Sequence, residues 1–357
     1  MIWLRSRTLP LALAMLGSVA NVAKSEELKQ LDWPSRIIEQ QADSTEQKPP
    51  VVSSLGLHPA GGLLASAGDD HIVRIWDLHK GNIVQRLHGH TDWVRTIAYS
   101  PKGELLASAG NDKQILFWNA LTGEKVQLFA EHPQAITKLA FSHDGRWLAV
   151  VGFEEQVRVY DVETGKVAYE FTGPCNDLSA LCFSPDDRYL AVGGRNGQMR
   201  VWSMEKGEVA VDDREHTQRI RTIEFSPDGM LLVSCGDDRQ VIVRPLREGA
   251  KSFALPRRAA KIMAMTFYGD ALLATAGSDN LIHLWDLGTQ QEVGRLTGHT
   301  GTIAALAYRD NTLISAGFDT TVRVWKIDAK VAEQPAFGTP RLGTRPETTE
   351  SENIYGR

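Results

Sequence analysis

Cysteine pairs, metal-binding motifs and long apolar runs are scarce or absent in this chain of 357 residues. The three cysteines, Cys175, Cys182 and Cys235, cannot all pair within the chain, so no disulfide framework is expected. Their spacing matches no zinc or haem motif, and neither Cys-x-x-Cys nor His-Glu-x-x-His occurs. No run shows helical periodicity. We therefore predict neither a metal nor a cofactor, and no helical domain.

Charge is balanced rather than concentrated in one sign. The chain has 39 basic and 44 acidic residues, which gives a net charge of -5. A hydrophobic content of 42% and a charged content of 23% are ordinary for a globular protein with a large core. Nothing in this balance favours nucleic acid or an anionic membrane as the main partner.

The N-terminal residues have the pattern of a secretory signal. Two arginines precede an apolar run from Leu9 to Ala20, and polar residues follow. This run is too short to span a bilayer, which needs ~20 residues. Ser18 and Ala20 suit a signal peptidase, so cleavage after Ala20 is the simplest prediction, with Ala23 as the alternative. We expect export to the periplasm or the extracellular space, without membrane insertion after the signal is removed. The other interpretation is that the protein is intracellular and that its apolar N-terminus is not a signal.

The main feature present is a repeat marked by an aromatic residue followed by a polar one. Its successive steps are 42, 42, 42, 42, 41 and 40 residues. The pairs, or their substitutes, are Trp76-Asp77, Trp118-Asn119, Tyr160-Asp161, Trp202-Ser203, Arg244-Pro245, Trp285-Asp286 and Trp325-Lys326. A fixed period of this length indicates one small unit copied seven times, which buries its apolar faces only against its neighbours.

Each copy contains short apolar runs between turn residues. In the copy from 88 to 129, the turns at 100–103 and 110–112 separate runs of strand-forming residues. Four antiparallel strands in about 40 to 45 residues are the unit of a propeller blade. The predicted fold is therefore all-β, a seven-bladed β-propeller with four-stranded antiparallel blades.

These residues resemble the WD-repeat family, whose signature is Gly-His at one end of a repeat and Trp-Asp at the other. In that family a His, a Ser or Thr, an Asp and the Trp of one repeat form a buried hydrogen-bonded network. The resemblance implies complete networks in the second and seventh copies. Their members are His90, Ser108, Asp112 and Trp118, and His299, Ser315, Asp319 and Trp325.

The other copies depart from that network. The third, fourth and fifth copies lack one or more members, so we expect weaker bracing there unless replacement groups are satisfied. His, Ser and Asp together can also form a hydrolase triad, but here they recur as bracing. We therefore predict that the protein is not an enzyme.

Closing a ring of blades requires a fourth strand for the last copy, because an open edge exposes unpaired backbone groups. The residues after Trp325 make a poor strand, whereas Arg36 to Gln40 carry suitable apolar residues. We expect this N-terminal segment to complete the last blade. The predicted organisation is a signal at 1–20, an N-terminal segment at 21–35, the propeller at 36–327 with a polar insertion at 41–50, and a disordered tail at 328–357.

The resemblance also implies which residues line the top of the propeller. The residue after the apolar position of each first strand forms the mouth ring, which consists of Ser53, Arg95, Thr137, Ser179, Arg221, Met263 and Ala304. Two features stand out nearby: aromatic residues at exposed positions, and a basic patch formed by Arg219, Arg221, Arg257, Arg258 and Lys261. The candidate partner-binding residues are Trp93, Arg95, Phe153, Arg195, Arg219, Arg221, Lys261, Met263 and Phe318.

We predict a monomeric scaffold that binds an acidic, partly apolar protein or peptide on its top face. An ordinary surface with scattered aromatic and basic residues is the competing interpretation. The alternative function is a propeller enzyme or a small-ligand binder that uses the central channel. That function needs acids, bases or metal ligands at the channel mouth, where the mouth ring offers only Arg95 and Arg221.

Overall fold

A computed structural model describes residues 35–39, 49–128, 132–247 and 249–327. The predicted signal at 1–20, the segment at 21–34, most of the predicted insertion and the predicted tail at 328–357 lie outside the described residues.

The strands form seven antiparallel sheets of four strands each, which confirms the predicted fold. Blade 1 contains β2 (Val52–Leu57), β3 (Leu63–Gly68), β4 (Val73–Asp77) and β5 (Asn82–Leu87). Blade 2 contains β6 (Val94–Tyr99), β7 (Leu105–Gly110), β8 (Ile115–Asn119) and β9 (Lys125–Leu128). Blade 3 contains β10 (Ile136–Phe141), β11 (Trp147–Gly152), β12 (Gln156–Asp161) and β13 (Val167–Thr172). Blade 4 contains β14 (Leu178–Phe183), β15 (Tyr189–Gly194), β16 (Gln198–Ser203) and β17 (Val209–Arg214).

Blade 5 contains β18 (Ile220–Phe225), β19 (Leu231–Gly236), β20 (Val241–Pro245) and β21 (Phe253–Ala254). Blade 6 contains β22 (Ile262–Gly269), β23 (Leu272–Gly277), β24 (Ile282–Asp286) and β25 (Gln291–Leu296). Blade 7 contains β26 (Ile303–Arg309), β27 (Thr312–Gly317) and β28 (Thr321–Lys326), with β1 (Ser35–Glu39) as its fourth strand.

The first strands of the blades form a closed inner ring. Each first strand contacts the first strands of the two neighbouring blades, and β26 of blade 7 contacts β2 of blade 1. The space inside this ring is the central channel. We define the top face as the end where the first strands begin and where the second and third strands of each blade are joined.

The N-terminal strand closes the ring, as expected. β1 pairs with β28 from Ser35 opposite Trp325 to Glu39 opposite Thr321, one residue earlier than the predicted segment. The Arg36 guanidinium donates to the carbonyls of His79 and Lys80 in blade 1, at 2.8 and 2.7 Å. The closing strand thus pairs with blade 7 and is also fastened to blade 1.

The shortening of the last two repeats lies in the bottom turns, between the first and second strands of blades 6 and 7. In blade 7 the hairpin between β26 and β27 has only Asp310 and Asn311 between paired residues, with φ of 47° and 58°. Positive φ at both central residues is typical of a type I′ turn, which suits a two-residue hairpin. The top face is therefore not affected by this change in length.

The two predicted complete networks are hydrogen-bonded as the resemblance implied. In blade 2, His90 Nδ1 donates to Asp112 at 2.7 Å, because a carboxylate can only accept. The other ring nitrogen, Nε2, lies 2.7 Å from Ser108 Oγ. Trp118 Nε1 donates to the same hydroxyl oxygen at 2.8 Å.

Blade 7 repeats this geometry. His299 Nδ1 lies 2.7 Å from Asp319, its Nε2 lies 2.7 Å from Ser315 Oγ, and Trp325 Nε1 donates to the same hydroxyl at 2.9 Å. Each network ties the link before a blade to its second and third strands.

In the copies with incomplete networks, arginine clamps take the place of the missing groups. On the third strand of blade 3, Arg158 bonds to Glu154 and pairs with Glu170 on the fourth strand at 3.0 Å. In blade 4 Arg200 pairs with Asp212 at 2.7 Å. Weaker bracing was expected in these blades unless other groups replaced the missing ones. The arginine ion pairs are such replacements.

Blades 5 and 6 are braced in other ways. In blade 5 Arg244 takes the place of the aromatic residue and donates to Glu215 at 2.8 Å. Blade 6 exchanges two positions: Arg258 stands where other copies have His, and His283 stands where blades 3 and 4 have Arg. Both contact Asp279 and Glu292. Burial tends to raise the pKa of Glu292. Hydrogen bonds from Arg295 and His283 outweigh this effect and lower the pKa to about 2.

Replacing Ile38 tests the closure. Ile38 is 3% exposed and belongs to the core cluster between blades 7 and 1, whereas Ile37 on the same strand is 45% exposed. Ile38→Ala should lower the free energy of unfolding by about 2 to 5 kcal/mol, because it removes buried methyl groups and leaves a cavity. Ile37→Ala is the control and should change it by less than about 1 kcal/mol. Urea unfolding measures both; equal effects would mean that β1 does not close the ring.

Candidate partner-binding face

Every first strand carries a β-bulge at the same place. In blade 2 the register between β6 and β7 shifts between Val94 and Thr96, which leaves Arg95 as the extra residue. The same shift occurs in all seven blades, always at the residue that the sequence assigned to the mouth ring. A bulge re-aims the side chain of its extra residue. The mouth ring is therefore set by backbone geometry, whatever residue occupies the position.

A close backbone approach accompanies each bulge. At Gly110 a Cβ atom would lie 2.0 Å from the carbonyl oxygen of Trp93, and that oxygen accepts from the amide of Asn111 at 2.9 Å. Only glycine tolerates such an approach. The equivalent glycines, whose added Cβ atoms would lie 1.7 to 2.9 Å from a backbone carbonyl oxygen, are Gly68, Gly110, Gly152, Gly194, Gly236, Gly277 and Gly317. They hold the top turns against the starts of the first strands.

Three mouth-ring residues connect neighbouring blades. The hydroxyl groups of Ser53, Thr137 and Ser179 donate to carbonyls on the first strand of the following blade, at 2.7, 2.5 and 2.6 Å. Their positions in the mouth ring thus have a structural use. The larger side chains of that ring, Arg95, Arg221 and Met263, remain as candidates for contact with a partner.

Two aromatic rings enclose Arg95. Its guanidinium carbon lies 4.6 Å from the ring centroid of Trp93 and 5.4 Å from that of Phe153, within the range of cation–π contact. Its Nε donates to Asn111 Oδ1 at 2.5 Å. Burial lowers the pKa of Arg95, although Asp92 and Asp177 oppose this shift. The structure thus brings three of the predicted residues into one group, which we call the arginine–aromatic cluster: Trp93, Arg95 and Phe153.

Ion pairs neutralise much of the predicted basic patch. Arg219 binds Asp177 through two nitrogens at 2.7 and 2.5 Å, and Arg221 binds Asp237 through two nitrogens at 2.8 and 3.0 Å. The hydrogen bond to Asp177 raises the pKa of Arg219. Of the two acidic partners, Asp177 directly precedes the first strand of blade 4, and Asp237 lies in the top turn of blade 5. The patch is therefore less positive than a count of its basic residues implied.

The remaining members of that patch differ in their surroundings. Lys261 is exposed, with Nζ 3.8 Å from Asp237. The side chain of Arg258 is largely buried in the blade 6 network, so it is not available on the surface. Arg257 is exposed and forms no ion pair within the described residues.

The other predicted site residues are not brought into the arginine–aromatic cluster. Arg195 is exposed, and its backbone amide donates to the backbone carbonyl of Asp177 at 3.1 Å. Met263 is half-buried at the bulge of blade 6. Phe318 is 45% exposed on blade 7 and makes no ring contact with Trp93 or Phe153 within the described residues. The candidate face thus has one compact group and several separate side chains.

The sequence interpretation missed a charged group in the wall of the channel. Lys138, Cys182 and Glu224 lie on the first strands of blades 3, 4 and 5, at positions where other copies have small residues. Burial lowers the pKa of Lys138, raises that of Cys182 and raises that of Glu224 to about 7. The available signal was a charged residue at each of two positions: other copies have Ser, Thr or Ala at the position of Lys138, and Gly, Ala, Cys or Thr at that of Glu224.

Two features are absent from the described part of the protein: a cluster of metal ligands and a long apolar helix. Across residues 35–39, 49–128, 132–247 and 249–327, no group of three or more His, Cys, Asp or Glu side chains is arranged to hold a metal ion. In the same residues no helix is long and apolar enough to cross a bilayer. The described cysteines are free thiols.

Comparison with protein-family models identifies WD40 repeats in the sequence. The model described as "WD domain, G-beta repeat" matches residues 43–77, 165–203, 211–243 and 290–326. The model described as "Anaphase-promoting complex subunit 4 WD40 domain" matches residues 97–177. Together with the seven four-stranded blades, these matches support a WD40-repeat propeller.

Curated relatives match over short segments. A U3 snoRNP-associated protein-like protein of Arabidopsis thaliana is 37% identical over 68 residues, 18% of this chain and 14% of the relative. Mitochondrial division protein 1 of Mycosarcoma maydis is 37% identical over 76 residues, 20% of this chain and 9% of the relative. A Lissencephaly-1 homolog of Monosiga brevicollis is 38% identical over 48 residues, 13% of this chain and 12% of the relative. The matches cover only a small part of each of these proteins.

Changing Gly110 tests the backbone origin of the mouth ring. Gly110→Ala should lower the free energy of unfolding by about 2 kcal/mol or more, because the added Cβ meets a backbone carbonyl that can move only with its strand. Gly56→Ala is the matched control: its added Cβ has no heavy atom nearer than 3.6 Å, and the effect should stay below about 1 kcal/mol. Chemical denaturation compares the two; a neutral Gly110→Ala would contradict the close approach.

Proposed function

We propose that this protein is a non-enzymatic binding platform whose partner protein or peptide docks on the top face of the propeller. The observation that carries the proposal is the arginine–aromatic cluster on the bulge of blade 2. A cationic side chain enclosed by two aromatic rings at the mouth of a channel has the composition of an interface anchor, where Trp, Tyr and Arg are enriched. The fold alone would not support this step, since propellers serve many functions.

The hydrogen-bonded networks support a non-enzymatic function. Ser108 is fully buried, and its hydroxyl already contacts both His90 and Trp118. A nucleophile must reach its substrate, and a buried hydroxyl between two fixed partners does not. Ser315 in blade 7 has the same surroundings. These sets therefore act as bracing.

The charges on the top face favour a partner that carries some acidic groups. Arg95, Arg195 and Arg257 make no ion pair within the described residues, and Lys261 has only a long contact with Asp237. Phe153 at 41% exposure adds an apolar contact surface. The preferred partner is therefore partly acidic and partly apolar, bound by a monomeric propeller.

A small-ligand site in the channel is the second candidate function. It is favoured by Lys138 and Glu224, which influence each other's pKa but form no ion pair within 4.0 Å. Such a pair could hold a small molecule with both a donor and an acceptor. The top-face interaction has the stronger support, because it combines aromatic, cationic and exposed apolar groups in one place.

A pull-down from the native source tests the docking face. The variant Trp93→Ala/Arg95→Ala/Phe153→Ala should reduce partner recovery at least tenfold, because it removes the enclosed cation and both rings. The control Leu121→Ala/Val126→Ala/Val167→Ala removes comparable apolar groups that are 49 to 83% exposed at the outer part of blades 2 and 3, and should retain recovery. Partner recovery is quantified by mass spectrometry against the wild type.

Two results of this experiment would contradict the proposal. Equal recovery by the wild type and the top-face variant would place the partner elsewhere. Loss of recovery in both variants would point to general loss of fold or of surface hydrophobicity. Arg219 and Arg221 are left intact in the design, because their removal would leave Asp177 and Asp237 without their bidentate partners.

We also propose that the protein is exported, on the basis of the N-terminal sequence. Two arginines, an apolar run ending at Ala20 and small residues before it support a cleaved signal. N-terminal sequencing of the protein purified from its native source should give a sequence that starts at Asn21, or at Lys24 if cleavage follows Ala23. A protein that begins at Met1 would contradict export.

A further inference from the structure

Arg95 differs from Arg219 and Arg221 in having an unfilled guanidinium. Among the residues that the structure describes, only the Arg95 Nε finds a hydrogen-bond partner, Asn111 Oδ1. Within the described residues no carboxylate lies within ion-pair distance of Arg95. Its two terminal nitrogens are thus left to bind a group from another molecule, since a guanidinium provides five donors in a fixed fork.

Two neighbouring arginines on this face form bidentate hydrogen bonds with carboxylates. Arg219 and Arg221 each use two nitrogens on one carboxylate, that of Asp177 and that of Asp237. Asp177 adopts a φ of 67°, a conformation that an Asp tolerates more readily than most residues do. The fold thus supplies an acidic partner to these two arginines and leaves Arg95 without one.

The surroundings of Arg95 make a positive charge without an acidic partner unfavourable. Arg95 is half-buried between Trp93 and Phe153, so water reaches it only in part. Burial disfavours its charged form, and the pKa of Arg95 is lowered for this reason first. An anion that arrives from a partner would restore the missing charge compensation and would displace little ordered protein structure.

We propose that Arg95 is the anchor for a single carboxylate of the partner, held through its two terminal nitrogens, while Trp93 and Phe153 pack against the apolar or backbone atoms beside that carboxylate. This inference rests on the proposed top-face function and names its ligand chemistry. The carboxylate belongs either to an Asp or Glu side chain of the partner or to its C-terminus. Both sources offer the same planar, bidentate acceptor.

A carboxylate fits this site better than a phosphate does. Phosphate groups are recognised by clusters of arginines, and here Arg219 and Arg221 are already engaged by Asp177 and Asp237. The charges that act on Arg95 are mixed in sign, Asp92 and Asp177 against Arg219 and Arg221, so they do not form the purely positive field that favours a dianion. A monoanion matches the single charge of the Arg95 guanidinium.

Peptide arrays probed with the purified full-length protein test this inference. Four libraries carry randomised flanking residues: three have blocked termini and a central Glu, Gln or phosphoserine, and the fourth has a central Gln and a free C-terminal carboxylate. The wild type should bind the Glu library or the free-carboxylate library about tenfold or more better than the blocked Gln library, since a charge-assisted hydrogen bond contributes at least that ratio. The better of these two libraries identifies the source of the carboxylate.

Variants connect the preference to Arg95. Arg95→Gln should abolish the carboxylate preference, and Arg95→Lys should lose most of it, because lysine keeps the charge but not the planar fork. Arg188→Gln, which removes the same charge from an exposed residue beside the bottom turn of blade 4, is the control and should keep it. Thermal melts of each variant check that the fold is retained.

Three outcomes would overturn the inference: equal binding of all carboxylate and blocked Gln libraries by the wild type, a carboxylate preference that persists in Arg95→Gln, or stronger binding of phosphoserine than of Glu. The proposed function fails separately. If the top-face alanine variant loses its partner in the pull-down while the arrays show no carboxylate preference, the docking face stands and only the carboxylate anchor is wrong.

Discussion

Seven edge strands must share one axis in this protein, and the rest of the structure depends on how their backbone groups are satisfied. A first strand pairs with its own blade on one side only, and an unpaired edge is costly or prone to association. Side chains of the preceding blade supply partners: Ser53 donates to the Val94 carbonyl, and the amide of Ile97 donates to Ser54 at 3.1 Å. The same relation joins the amide of Leu139 to a threonine of blade 2. Neighbouring blades thus hold one another at the channel.

This constraint also shapes the proposed docking surface. The bulge that begins every first strand aims one side chain at the mouth, and the glycine opposite it keeps the top turn close. Because the backbone is the same in each blade, the residue at the bulge is free to vary. Some copies use it for a hydroxyl link between blades, whereas blade 2 uses it to present Arg95 between two aromatic rings. In the proposed function, bracing and recognition are divided among equivalent positions.

The repeat pattern predicted the architecture well, because each copy contributes several independent signals to the same period. The number of strands and the closing strand both follow from the spacing and the turn residues. Side-chain pairing between blades was harder to predict. The pair of Arg219 with Asp177 joins blade 5 to blade 4 and depends on a distance between blades, which a single repeat does not reveal. Glu224 and its neighbours were missed because repeat alignment directs attention to shared residues rather than to exceptions.

Site-specific photocrosslinking tests the central claim, that the partner docks on the top face at the mouth ring, most directly. A photoreactive amino acid would replace Lys261, Met263 or Ala304 on the top face, and Lys102, Pro227 or Asp270 in the bottom turns, one residue at a time in the native host. The account predicts that adducts with the partner form from the top positions and not from the bottom ones. Adducts confined to the bottom positions would contradict it.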